Sequence, residues 1–325
     1  MPRRFQPLAL ACALIASLGL ALEPLAAQSI LRDAETEQLL RDMAAPLIEA
    51  SELEPGHVEL VLINDPSINA FVAGGQAIYV HTGLIEAAET AEEVQGVLAH
   101  ELGHITAGHA VRTDERTRAA TNISLLSLLL GIGAAIAGAG DAAMGVIAAG
   151  QQAAIGSFLS FNRDQEAATD LAGARYLSGA GISGRGMIRF FERLRGNEIR
   201  AGYSQADEAA DARTHPLTGD RIQVLRDLLE KDPAWDAPAD AELQARFVRA
   251  KAKLFGYLAE PQRTLRTYPP SDTSIPARYA RAYAYHKEAR VDLALAEAEA
   301  LLAAEPDNPW FLELKGQVLL ESGRV

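Results

Sequence analysis

Apolar residues at Leu39, Leu40, Met43 and Leu47 recur at helical steps among charged and polar neighbours, and the spacing predicts an amphipathic helix over 35–50. The period then changes. "HVELVLIN" (57–64) and "AIYVHTG" (77–83) are short runs rich in β-branched and aromatic residues that predict strands, and the "AGG" between "NAF" and "QAIYV" supplies a turn. Helical spacing returns after Thr90. Thr90 and Glu93 form a capping-box pair that starts a helix, and Val94, Val97, Leu98 and Ile105 give it a buried stripe.

Between Arg118 and Arg163 the only charged residue is Asp141. It divides two uncharged stretches, each of about 20 residues and long enough on length alone to cross a bilayer. Asn122, Ser124, Ser127, Gln151, Gln152 and Ser157, with abundant Ala and Gly, make poor spans. The reading taken is an Ala-rich helical hairpin packed on protein, with peripheral contact to a membrane as its alternative.

A further helix is predicted over 218–230, and the Pro- and Asp-rich "KDPAWDAPAD" after it is a connector that marks a domain boundary. Beyond it the pattern is helical and repetitive. With Gly316 at the eighth position of a tetratricopeptide unit of about 34 residues, one step back puts Ala282 in the same place, and Ala294 and Pro306 fall where a small residue and a closing proline are expected. A degenerate unit precedes it from residue 242. The last repeat stops after its first helix, which leaves an apolar face uncovered and reads as a truncated repeat region. The expected architecture is a helix-rich α+β domain over residues 28–235 followed by an all-α repeat region over 242–325.

Composition and charge narrow the function. Arg3 and Arg4, an uncharged apolar run from Phe5 to Leu22 and the small residues of "PLAAQ" predict a cleavable signal peptide over residues 1–27. The single cysteine, Cys12, lies inside it. The remaining chain therefore has no disulfide, and any metal must be held by His, Asp or Glu. A net charge of −13 repels nucleic acid and excludes it as a partner. An exported, thiol-free, acidic chain is most simply periplasmic.

The candidate chemistry sits in "VLAHELGHITAGHA" (97–110). On a helix His100 and His104 project from one face a turn apart, the arrangement by which two imidazoles share a tetrahedral zinc ion. Glu101 stands beside them, placed to take a proton from attacking water. His109 is a tempting third ligand. The longer pattern H-E-x-x-H-x-x-G-x-x-H needs Gly at 107 and His at 110, where this chain has Ala107 and Ala110, so His109 reads as structural. The better candidate is Glu166 in "NRDQEAATDLAGARYL". There Ala167 and Gly173 would let a helix lie close to the first, and Asp170, one turn on, could accept the free ring N–H of a ligating histidine.

The segments "NAFVAGGQAIYVHTGLI", "HELGH", "RDQEAATD" and "THPLTGDRI", in this order and followed by helical repeats, resemble the zinc peptidase family that contains the HtpX-like and CAAX prenyl proteases. The likeness covers nearly all of the chain after residue 27. It implies a zincin-like (gluzincin) metalloprotease domain with one zinc ion per chain on His100, His104 and Glu166, and Glu101 as the catalytic acid and base. It also gives His215 of "THPLTGDRI" a functional role, either covering the metal at rest or donating to the oxyanion, and Arg221 a part in steadying that oxyanion. The strand around "NAFVAGG" would hold extended substrate by main-chain pairing. The implied function is a periplasmic zinc endopeptidase, associated with the outer membrane, that degrades misfolded or misassembled outer-membrane proteins. A chaperone-like role would go with repeats that dock the outer-membrane protein assembly machinery. The rival class is a non-enzymatic chaperone or adaptor that binds that machinery through its repeats. Glu101 favours the enzyme, because a pure binder needs no base beside the metal.

Overall fold

The structure is a computed structural model that describes residues 29–54, 56–108, 122–130, 132, 140–200 and 219–324. The expected signal peptide, His109 and His215 all lie outside the described residues.

Helix α1 (Ala34–Ala50) starts where Asp33 accepts the backbone N–H of Thr36, and it buries the predicted stripe of Leu39, Leu40, Met43 and Leu47. The sheet is small. Strands β1 (Ser29–Ile30), β2 (Glu59–Asn64), β3 (Ala70–Ala73) and β4 (Ala77–His81) lie in the order β1-β2-β4-β3. The β2–β4 pair is parallel, with Leu62 opposite Val80, and the two outer pairs are antiparallel. The predicted turn reverses the chain between β3 and β4 through Gly74 and Gly75, both at positive φ, a conformation that glycine adopts without a Cβ clash. β3 is an edge strand and contacts the helix that carries the opening motif.

After the short α2 (Thr82–Ala87) comes that helix, α3 (Ala91–Thr106). Its capping box forms only in part. Thr90 accepts the N–H of Glu93, whereas the Glu93 carboxylate takes the N–H of Glu89 and two bonds from Arg193. Helix α4 (Gly140–Gly179) lies along α3, and α5 (Arg185–Arg200) and α6 (Gly219–Leu229) close the layer. Val94, Val97, Leu98 and Ile105 of α3 join Leu177, Phe190, Phe191 and Leu225 in one core with α1 and the sheet.

Residues 122–130 are helical, and they depart from the expected packing of the 119–160 hairpin on protein. Leu125, Leu126 and Leu128 to Leu130 are exposed, and only Ser127 of this turn is buried. Among the described residues no helix is long and apolar enough to cross a membrane.

The C-terminal region is helical: α7 (Ala241–Leu258), α8 (Pro261–Thr267), α9 (Ile275–Lys287), α10 (Val291–Ala304) and α11 (Pro309–Glu321). A second core gathers Tyr279, Tyr283, Ala294, Leu301, Phe311 and Leu314. The connector before α7 is docked, with Trp235 under the Arg185 guanidinium and its carbonyl accepting the Ser183 hydroxyl. Helix α7 belongs to both layers. Its Phe247, Ala250 and Leu254 complete the first core, while Gly256 meets the backbone of Ala280 so closely that a Cβ there would stand 2.4 Å from the carbonyl oxygen. Buried charges tie the layers further. Glu35 at the start of α1 accepts Arg249 Nε at 2.7 Å and the Tyr279 hydroxyl at 2.9 Å, and Lys253 reaches Asp33 at 2.7 Å.

Candidate metal centre

Glycine sets the distance between the two helices that build the site. A Cβ on Gly103 of α3 would lie 2.9 Å from Cγ2 of Thr169, and one on Gly173 of α4 would lie 3.1 Å from the carbonyl carbon of Ala99. The first is closer than packed atoms tolerate and the second tighter than most packed contacts, so these positions let the backbones approach. Gly173 acts as its sequence position suggested. Ala167 does not, since it is exposed on the outer side of α4.

This approach brings Glu166 against the two histidines. The Nε2 atoms of His100 and His104 are 3.3 Å apart. The Glu166 carboxylate stands 3.4 Å from His100 Nε2 through Oε2 and 3.3 Å from His104 Nε2 through Oε1. With bonds of about 2.0–2.1 Å, two ligands of a tetrahedral ion stand roughly 3.3 Å apart. The three groups therefore fit one cation, and their nitrogen and oxygen donors are those that zinc accepts. His100, His104 and Glu166 are all buried, which carboxylates and imidazoles tolerate when they are paired or hold metal. Glu101, the next residue on α3, is buried with them at 1% exposure.

A further layer fixes these groups. His100 Nδ1 lies 3.0 Å from Oδ1 of Asp170, the contact expected from the four-residue spacing of Glu166 and Asp170. Nδ1–H thus donates to Asp170 and Nε2 faces Glu166. Arg221 of α6 then clamps both carboxylates. Its Nε and one terminal nitrogen donate to Asp170 at 2.8 and 2.9 Å, and the terminal nitrogen lies 3.1 Å from Glu166. Sequence reading gave Arg221 a part in steadying the oxyanion; the structure shows its Nε and one terminal nitrogen holding Asp170 and Glu166. The partners lie 51 and 55 positions earlier in the chain, a separation no local spacing reveals. Phe191 of α5 meets the His100 ring edge-on, with centroids 5.7 Å apart, and this too carried no sequence signal.

Burial opposes charge on His100, yet the Asp170 and Glu166 carboxylates outweigh it and hold the imidazolium up to about 10. A cation and this proton compete for the same ring. For Asp170 burial likewise opposes ionisation, and His100 with Arg221 holds it below the usual carboxylate range. Asp170 is therefore an anion at neutral pH. Asp170→Asn keeps the shape but removes the charge and half of the Arg221 clamp, and is expected to weaken metal affinity about 10 to 100-fold. Competition with a chelator of known affinity measures this, and unchanged affinity would remove Asp170 from the site.

Helix α3 ends at Thr106, with Ala107 donating to Gly103 and Gly108 at positive φ. The chain thus leaves the helix just before His109.

A model of Peptidase family M48 matches residues 31–229. The chain is 26% identical over 306 residues to the beta-barrel assembly-enhancing protease of Escherichia coli, an alignment that takes in 91% of this chain and 60% of that one. It is 26% identical over 262 residues to the protein of the same name from Yersinia pestis, covering 78% of this chain and 52% of that one. It is also 27% identical over 185 residues to the Escherichia coli metalloprotease LoiP, covering 55% and 65%. The chain spans about 60% of the length of the beta-barrel assembly-enhancing proteases of Vibrio cholerae and Escherichia coli.

Proposed function

The chain belongs to peptidase family M48, and on that premise we propose that it is a zinc-dependent endopeptidase whose metal is held by His100, His104 and Glu166. The observation that carries the reading is the convergence of three buried donors at 3.3 to 3.4 Å, with Glu101 next to the first. Zinc bound there supplies a Lewis acid that acidifies water and polarises a peptide carbonyl. Glu101 takes the proton from the attacking water and returns it to the leaving amine. Asp170 and Arg221 keep the His100 ring and the Glu166 carboxylate in place as charge shifts. The free edge of β3 pairs with an extended segment by main-chain hydrogen bonds, which tolerates many sequences.

That tolerance suits misfolded or misassembled polypeptides, the substrate class we assign. The relatives named beta-barrel assembly-enhancing protease support counting outer-membrane proteins in that class, and we assign the chain a periplasmic location and a chaperone-like role in outer-membrane assembly. Helices α7 to α11 are proposed as tetratricopeptide repeats, supported by buried Ala282 and Ala294 at the small-residue positions, and as the surface that docks the assembly machinery. Zinc content and cleavage of an unfolded casein-type polypeptide test the enzyme. Chelation should abolish cleavage and zinc should restore it; cleavage indifferent to chelation would leave the chain a binder or another kind of enzyme.

His215 keeps its proposed role, with coverage of the metal at rest as the preferred form. His215→Ala should change turnover at nearly unchanged zinc content, because His100, His104 and Glu166 build the centre without it. Peptide-cleavage rates from about pH 5.5 to 8.5, around the ordinary histidine pKa of about 6.5, make the comparison. A variant matching the parent in rate and profile would end that role.

A further inference from the structure

The helical stretch 122–130 is built inside out for a protein in water. Leu125, Leu126, Leu128, Leu129 and Leu130 are each 43 to 66% exposed, while Ser127 is buried at 6%. Ser127 faces Gly150 of α4, where an added Cβ would stand 2.0 Å from the serine Cβ. Small residues thus face inward and large apolar ones outward. The Ser127 hydroxyl donates to the carbonyl of Ser124 at 2.8 Å, so this polar group needs no water. Met144 and Val146 on the partner helix are exposed as well.

From this arrangement we infer that the helical stretch 122–130, with the part of α4 that faces it at Gly150, is a membrane-surface anchor that sets its leucines into one leaflet of a lipid bilayer. At about 100° per residue the five leucines cover roughly 200° of the helix circumference. A helix docked on protein offers an apolar stripe nearer 100° wide. An arc twice that width is covered by a fluid that closes round the helix rather than by one groove. Close helix contact through Ser and Gly, with leucines facing out, is the packing found in lipid, where no hydrophobic force drives helices together.

Length and polarity set the depth. The nine helical residues from 122 to 130 rise about 13 Å, well short of a hydrocarbon core of about 30 Å. Exposed Asn122, Gln151 and Gln152 mark the water side and keep the contact at the interface. An insertion of roughly 5–10 Å follows. The chain carries a net charge of −13, so attraction to anionic headgroups is not the driving force, and the contact is to uncharged lipid.

Flotation of the full chain with phosphatidylcholine and phosphatidylethanolamine vesicles tests the inference. The parent should co-float, and should still do so at roughly 1 M salt, where screening acts within about 3 Å. Leu126→Gln with Leu129→Gln and Leu130→Gln should lose binding by on the order of 1000-fold, each buried leucine contributing about tenfold. The melting temperature and cleavage of a short soluble peptide show that the variant folds, since these side chains touch neither core nor site. A parent that stays with the aqueous fraction, or a variant that floats equally well, overturns the inference. So does a parent that self-associates without lipid where the variant is monomeric, which assigns the leucines to a second copy. A variant that loses only capture of an unfolded polypeptide assigns them to substrate.

Discussion

Replacing Glu101 by glutamine is expected to leave bound metal in place and to lower peptide hydrolysis by about 10²–10⁴-fold, the contribution of a positioned acid and base. The change is nearly isosteric, so the burial of this residue on α3 is preserved and the helix has no reason to move. What is lost is the ability to take a proton and give it back. That loss corresponds to about 3–5 kcal/mol of barrier. Zinc content measured beside the cleavage rate separates this role from ligation. If the variant loses zinc together with activity, Glu101 belongs to the ligand set and another group carries the proton.

Glu166→Ala is expected to act at the other level and to take the metal away. The two imidazoles remain one turn apart on α3, but two donors do not hold an ion as three do. The loss of affinity should exceed the roughly 10 to 100-fold expected for an outer partner such as Asp170, and cleavage should fall to background. The Arg221 guanidinium, which this carboxylate shares with Asp170, keeps its Asp170 partner, so helical content should be retained. Isothermal titration with zinc and circular dichroism follow the two effects. Full zinc occupancy in the folded variant would place the third ligand elsewhere in the chain.

How far the sequence led follows from the range of each interaction. Helices α1 and α3 were legible because Leu39, Leu40, Met43 and Leu47, and then Val94, Val97 and Leu98, sit at the helical period and bury one face. His100, Glu101 and His104 share one turn, so their spacing carries their chemistry, and the four-residue step from Glu166 to Asp170 placed a ligand and its neighbour on one face of α4. Strand β1 was not legible: two exposed residues paired with Ile63 and Asn64 leave no periodicity to read. The Arg221 clamp and the Phe191 edge on His100 join helices far apart in the chain and depend on the packing of α5 and α6 against the site. The Pro- and Asp-rich connector was read as a domain boundary; Trp235 fastens it to α5, and α7 after it fills the first core. The exposed leucines of 122–130 were hidden for another reason, since apolarity shows that a residue avoids water and not whether protein or lipid receives it.

Anomalous scattering from crystals of the purified protein, recorded across the zinc absorption edge, tests the central claim most directly. The account predicts one peak per chain at bonding distance, about 2.0–2.2 Å, from Nε2 of His100, Nε2 of His104 and the carboxylate of Glu166. A zinc-loaded protein whose peak lies away from these three side chains, or whose peak persists there in Glu166→Ala at full height, would contradict it.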